Sequence, residues 1–422
     1  MLDLGTSFLA SVSRDPEALA IVDGGIRLTY AGWYRAISSV VEGLDALGLR
    51  PGDRLVTVLQ NRWEAATLHW ACQFAGVVIV PLNWRATVDE LDYALADSDA
   101  RALVYEPVAA AAVAASPAAA VLPRLAVGAA AGPGETAFAD VVARGAAPAR
   151  AAASAEALSL MLYTSGTTAR PKGVPRRHRA ERAAALAHIA QNLYGRGERT
   201  LGVMPLYHTM GVRSLLAMSL IGGTFVCLPR FSVAEALRLV AAERVTNLYL
   251  VPTLYHDLVH HADFGATDVS SVRKLGFAGA SMTDGLLARL TEAFRPDLFV
   301  TGRIDDMIIT GGENVSPVEI ESCLSLHPAV SEVAVVGLPD ERWGKVVAAF
   351  IKRRGPVEPA DLDAYCRAAG LPSHKLPRST VFVAEIPKSP VGKLLRRRLV
   401  SGDYEPEAAS AFPSHTSVEA LT

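Results

Sequence analysis

Between Tyr163 and Gly173 the chain reads YTSGTTARPKG, so the hydroxyls of Thr164, Ser165, Thr167 and Thr168, the glycines Gly166 and Gly173 and the ammonium of Lys172 fall within eleven residues. Glycines let backbone N–H groups converge on one point, hydroxyls donate to phosphate oxygens, and a lysine adds a mobile positive charge. The chemistry on offer is an oxyanion cradle for a polyphosphate. It is not a Walker A loop: counting from Gly166, Pro171 stands where the second glycine is required, and Gly173 follows Lys172 where a magnesium-binding hydroxyl belongs. The same composition also makes an ordinary solvent turn, so both readings stand on these residues alone. Lys393, beside Arg396, Arg397 and Arg398, reads by itself as part of a solvated helix face. His256 to His261, HDLVHH, sets two imidazoles four residues apart as a zinc-binding helix does, but Asp257 replaces the glutamate and no third ligand follows, so no metal site is expected.

The elements that must position these residues follow a repeating pattern. From Thr29 to Tyr105 amphipathic helices alternate with short apolar strands, and the alternation resumes after the loop as far as Val251. Such a βα repeat predicts an α/β fold with covered, mostly parallel sheets. The Ala- and Pro-rich stretch from about Val108 to Leu158 reads as irregular and exposed. From Gly302 the pattern changes to helix, two strands and helix, the mark of a small α+β module. The expected domains are therefore a large one over 1–303, a small one over 304–400 and a structureless tail over 401–422.

At 422 residues the chain is long enough for two cores. Its 41 Lys plus Arg against 43 Asp plus Glu leave a net charge of -2, with no global field for nucleic acid or an anionic membrane. Cys72, Cys227, Cys323 and Cys366 are widely spaced and suggest neither a zinc knuckle nor a disulfide framework. The N-terminus lacks the basic, then apolar, pattern of a secretory signal, and the alanine-rich run is too weakly apolar for a membrane span. A cytoplasmic protein is expected, with monomer and homodimer both open.

The loop resembles the phosphate-binding signature of the adenylate-forming superfamily: acyl- and aryl-CoA ligases, adenylation domains and luciferases. Successive motifs of that superfamily are matched in order by MPLYH from Met204, FAGASM from Phe277, GRIDDMIITGGENVSPVEIE from Gly302, ERWGKV from Glu341 and PKSPVGKLLRR from Pro387. Within it the chain is most similar to bacterial benzoate and chlorobenzoate CoA ligases. The resemblance implies activation of a carboxylic acid by ATP and Mg2+ as an acyl-AMP, followed by transfer to CoA.

By motif match, Lys393 meets the α-phosphate, while Thr164, Ser165, Gly166, Thr167, Thr168 and Lys172 embrace the outer phosphates. Gly279, Ala280 and Ser281 border adenine, and Arg303 reaches the ribose. Met204, His208, Phe277 and Ala278 line the acyl pocket, with His208 at its mouth. Asp305 is the hinge about which the small domain swings. Gly311, Gly312 and Glu313 line the pantetheine tunnel, and Trp343 and Arg378 meet the CoA nucleotide. Two departures stand out. Ala169 replaces a usual glycine, and after Val300 the chain passes directly to Thr301, where the superfamily has a whole subdomain. Missing with it are the acidic residue implied to hold magnesium, the aromatic residue packing on adenine and the aspartate clasping the ribose. Turnover by this 422-residue form is therefore expected to be low. The competing readings are a non-catalytic nucleotide- or CoA-binding remnant and an adenylation domain that loads a separate carrier protein.

Overall fold

The computed structural model describes residues 2–128, 131–164, 171–278, 282–300, 308–310, 313–340, 343–389 and 394–408. Its strands are β1 (Leu19–Asp23), β2 (Ile26–Thr29), β3 (Arg54–Val58), β4 (Val78–Leu82), β5 (Ala100–Tyr105), β6 (Arg124–Ala126), β7 (Thr136–Ala137), β8 (Leu158–Thr164), β9 (Lys172–Arg177), β10 (Arg199–Gly202), β11 (Thr224–Cys227), β12 (Asn247–Leu250), β13 (Lys274–Phe277), β14 (Leu298–Val300), β15 (Ile308–Thr310), β16 (Glu313–Val315), β17 (Val330–Asp340), β18 (Gly344–Arg353) and β19 (Ser379–Phe382).

Two seven-stranded sheets dominate, in the orders β7-β6-β5-β3-β4-β8-β9 and β14-β13-β12-β10-β11-β1-β2. Parallel pairing of β3 with β4 and β5 leaves Leu55 to Val58 buried on both faces, as expected of unbroken apolar runs under crossover helices. A shared core joins the sheets around Phe8, Trp33 and Trp70. The rings of Phe8 and Trp70 lie 4.7 Å apart, and the buried indoles donate to Thr67 and Ser219, which satisfies the polar edge that burial would otherwise strand.

The stretch from Val108 to Leu158 is not the exposed irregular segment the composition predicts. β6 pairs in parallel with β5 and β7 with β6, burying Leu125, Ala126 and Val127. The helix Phe138–Arg144 packs Val141 against the helix Tyr30–Ala46 at Gly43, where a Cβ would lie 2.5 Å from Val141 Cγ1. Sparse apolar side chains suffice here because an existing sheet edge templates the strands.

In the C-terminal module β17 pairs antiparallel with β18, and β19 pairs parallel with β18. Alternation along these strands gives two buried faces. Val335, Ala349 and Ile351 pack under the helices Pro317–Ser325 and Pro359–Ala368, while Ala334, Ala348 and Phe350 meet Val383, Ile386 and Leu399. The expected structureless tail does not begin at Ser401. Tyr404 stacks edge-on against Phe350 at 5.0 Å, Glu407 pairs with Arg353, and Ala384 N–H donates to Glu405 O at 3.0 Å. An otherwise open apolar face explains the order of 401–408.

The last crossing between compact units lies at 300/301, beside the expected boundary near 303, but shorter segments before it change sides. The chain divides into two compact units, one of residues 1–249, 265–275 and 297–300, the other of 250–264, 276–296 and 301–422. The helices Pro252–Val259 and Asp284–Phe294 thus join the C-terminal unit. Close approach explains it: a Cβ on Gly285 would lie 3.1 Å from Leu326 Cδ2. The four cysteines are free and buried. Among the described residues no helix is long and apolar enough to cross a membrane.

A buried ion pair ties this module together. Glu321 accepts from Val335 N–H at 2.8 Å and from Arg396 Nη2 at 2.7 and 2.9 Å. Glu321→Ala is expected to cost roughly 3–5 kcal/mol, because it strands a guanidinium and a backbone donor. Urea unfolding measures this, and a loss under about 1 kcal/mol would mean that the pair behaves as a solvated surface contact.

Candidate active site

β8 and β9 form an antiparallel hairpin in which Tyr163 faces Gly173 and Thr164 faces Lys172. Thr164 and Lys172 are exposed at its mouth, and Ser165, Gly166, Thr167, Thr168 and Ala169 lie outside the described residues. The helix Val88–Asp97 pins both ends of the loop. Tyr93 Oη donates to Pro171 O at 2.9 Å, Tyr163 Oη donates to Asp97 Oδ2 at 2.7 Å, and the two rings meet edge to face at 6.3 Å. A capping box between Thr87 and Glu90 fixes the start of that helix. Burial and the Asp97 carboxylate hold the Tyr163 phenol well above its usual range, so it remains a donor. Gly173 serves a close approach: a Cβ there would sit 2.8 Å from Met161 Sδ. Lys172→Ala is expected to raise the dissociation constant for ATP about tenfold, the value of one shared charge-assisted hydrogen bond. Unchanged ATP binding would remove the lysine from the cradle.

Met204 to His208 follow β10 in the same unit. Met204 is buried and His208 half-buried at the N-cap of the helix Thr209–Ile221. His208 Nδ1 accepts from Met210 N–H at 3.3 Å, which leaves the ring proton of the neutral form on Nε2. Arg176 of β9 reaches this segment, with Nη2 donating to Thr209 Oγ1 at 2.8 Å and Nη1 pairing with Glu181 at 3.3 Å. The hairpin bearing Lys172 and the segment bearing His208 are thereby tied together.

In the other unit Phe277 is buried at the end of β13 and Ala278 is half-buried, with Gly276 O held by Tyr255 Oη at 2.9 Å. Gly279, Ala280, Ser281, Arg303, Asp305, Gly311, Gly312 and Lys393 lie outside the described residues, as does the side chain of Glu313. The flanks of Lys393 are described. Lys388 and Leu394 form an antiparallel bridge, Lys388 pairs with Glu332 at 2.7 Å, and Leu395 N–H donates to Pro387 O at 2.9 Å. The described segments on either side of Lys393 are thus held to each other.

Trp343 and Arg378 come together. Arg378 Cζ stands 4.6 Å from the Trp343 ring centroid, while Trp343 N–H donates to Asp340 Oδ1 at 2.8 Å. A guanidinium stacked on an indole suits a planar, anionic guest. The Trp343→Ala, Arg378→Ala double variant is expected to raise the Michaelis constant for CoA with adenylation intact. A defect confined to the acid would place the pair elsewhere. The HDLVHH histidines take a different role: His256 and His260 stack at 4.0 Å, and His260 caps its own helix with Nδ1 2.7 Å from His256 O.

Tyr93, Asp97, Arg176 and Tyr255 are the positioning residues that sequence reasoning misses. Tyr93 and Asp97 stand one helical turn apart on one face, which is the only local hint. Their partners Pro171 and Tyr163 lie 78 and 66 residues away.

Family models match along most of the chain: an AMP-binding enzyme model over residues 8–302 and an AMP-binding enzyme C-terminal domain model over 319–393. Feruloyl-CoA synthase of Amycolatopsis sp is 28% identical over 491 aligned positions, covering 93% of this chain and 97% of that protein. That alignment exceeds the 422 residues present here, so it includes stretches of the relative that this chain lacks. 4-Chlorobenzoate–CoA ligase of Pseudomonas sp. (strain CBS-3) is 30% identical, covering 61% of this chain and 68% of that enzyme. The fold matches the crystal structure of an anthranilate CoA ligase in complex with anthranoyl-AMP, with a TM-score of 0.86 at 21% identity and coverage of 96% and 97%. ATP-bound MatB from Rhodopseudomonas palustris matches with a TM-score of 0.81 at 23% identity, covering 95% and 99%. The hairpin loop, the motifs in order and both model matches make this chain a member of the AMP-binding enzyme family.

Proposed function

We propose that the chain is built for ATP-dependent activation of a carboxylic acid and its transfer to CoA, with a flat or medium-sized acid as substrate. The β8–β9 hairpin carries this reading: a loop rich in hydroxyls and glycine, closed by Lys172 and pinned at both ends. The named relatives support it, since each couples an acid to CoA. In the first half-reaction a carboxylate oxygen attacks the α-phosphorus, the bond to the β-phosphate oxygen breaks and pyrophosphate leaves. Lys393 opposes the charge that develops there, and Thr164, Ser165, Gly166, Thr167, Thr168 and Lys172 hold the departing phosphates. Gly279, Ala280, Ser281 and Arg303 receive the adenosine, and Met204, His208, Phe277 and Ala278 the acyl group. After a swing about Asp305, the CoA thiol reaches in along the tunnel of Gly311, Gly312 and Glu313, loses its proton to solvent and attacks the acyl carbonyl; the bond from that carbon to the phosphate oxygen breaks and AMP leaves.

Among the described residues no group of three or more His, Cys, Asp or Glu side chains is placed to hold a metal ion. The acidic residue that the resemblance implies for magnesium belongs to the subdomain missing after Val300, and low turnover of this form is expected on that ground. The test is acid-dependent exchange of labelled pyrophosphate into ATP, with a panel of aromatic and aliphatic acids, alongside direct ATP binding. Slow exchange with aromatic acids best is expected. If neither exchange nor ATP binding is detectable, the activation reading fails; ATP binding without any exchange favours the non-catalytic remnant.

A further inference from the structure

Asn61 lies in the short link between β3 and the helix Trp63–Ala75, and it is buried. Its Nδ2 donates to Gly202 O at 2.7 Å and to Met204 O at 2.8 Å, while its Oδ1 accepts from Leu206 N–H at 3.0 Å. One amide thus satisfies three backbone groups across the segment that carries Met204 and leads to His208. No side chain of that segment takes part, so the contact dictates backbone path.

The link that presents Asn61 is itself clamped. Glu106 accepts from Gln60 N–H at 2.5 Å and pairs with Arg62 at 2.9 Å, and Asp23 accepts from Trp63 N–H at 2.9 Å. β3 belongs to the sheet of the phosphate hairpin and β10 to the other large sheet, so Asn61 spans from one to the other. Gly211 also presses against this backbone: a Cβ there would lie 2.2 Å from Pro205 O and 2.3 Å from Met204 O, the carbonyl that Asn61 also holds. An amide and a glycine thus both close on this backbone and leave it little space to relax into.

We infer that Asn61 is a positioning residue for acyl recognition, setting the backbone of Val203–His208 together with the close approach of Gly211. This rests on the proposed carboxylate activation only in naming what the segment contacts. Two readouts on the full chain separate the ideas. The first is hydrogen exchange of the amides over 203–208. Asn61→Ala is expected to speed exchange there at least about tenfold, the factor for one lost buried hydrogen bond, and Gly211→Ala to speed it by forcing the Met204 and Pro205 carbonyls aside, with β3–β5 unchanged in both. The second is binding of benzoyl-sulfamoyl-adenosine, an unreactive acyl-adenylate mimic, against AMP alone. Both variants are expected to weaken the mimic about tenfold and AMP less than about twofold. Unchanged exchange over 203–208, or equal weakening of both ligands, overturns the positioning role. If the unmodified chain binds neither ligand, the activation reading falls while the exchange result still decides the role of Asn61 in fixing the segment. Should Asn61→Ala fail to fold, Gly211→Ala carries the test, since alanine is the best helix former and its only fault there is steric.

Discussion

Inserting between Val300 and Thr301 the subdomain that related ligases carry at this point is expected to raise acid-dependent pyrophosphate exchange by about 10²-fold or more. The resemblance places in that subdomain an aspartate on the ribose, an aromatic residue on adenine and an acidic residue for magnesium. Removing one preorganised group that meets transition-state charge typically costs about 10²–10³ in rate, so loss of several sets a floor under the gain. An adenylate site open on one side loses in a second way: water screens the groups that stabilise charge, and the acyl-adenylate is exposed to hydrolysis. An alignment longer than the chain itself fits such a gap. The junction residues Thr301 to Met307 lie outside the described residues, so a functional measurement decides. Robust thioester formation by the unmodified 422-residue protein, at a rate matching the restored form, would refute the expectation.

In the restored form Lys393→Ala is expected to lower acyl-adenylate formation by about 10²–10³-fold and to spare thioester formation from a pre-made acyl-adenylate. The lysine opposes charge that exists only while pyrophosphate departs, so its loss raises one barrier and leaves the other alone. The described residues that flank it are anchored. Lys388 and Leu394 are bridged, and Arg396, three residues on, is locked to Glu321. Single-turnover measurement of each half-reaction separates the effects. Equal loss in both would sink the assignment and return Lys393 to a solvated helix face.

The sequence by itself determined the class of fold and the order of the strands and helices from Thr29 to Tyr105 and again from Glu181 to Val251, and it marked the loop after Tyr163 as a candidate phosphate cradle. These are local properties: a period of two or of about 3.6, or a hydroxyl-and-glycine cluster, is complete within a dozen residues. It also located the gap after Val300, because ordered motifs leave a missing one visible. Only the tertiary structure decided what holds the site in place. Strand order departs from chain order in both large sheets, so Tyr93 meets Pro171 and Asn61 meets Gly202 across 78 and 141 residues, and no window of sequence contains both partners. The same cause reversed two expectations. Leu125 and Val127 are too few to announce a strand, yet a parallel edge at β5 makes one. Tyr404 and Glu407 sit in polar sequence, yet the uncovered ring of Phe350 and the charge of Arg353 order them. Where a segment's stability comes from a distant surface that it completes, its own residues carry little sign of it.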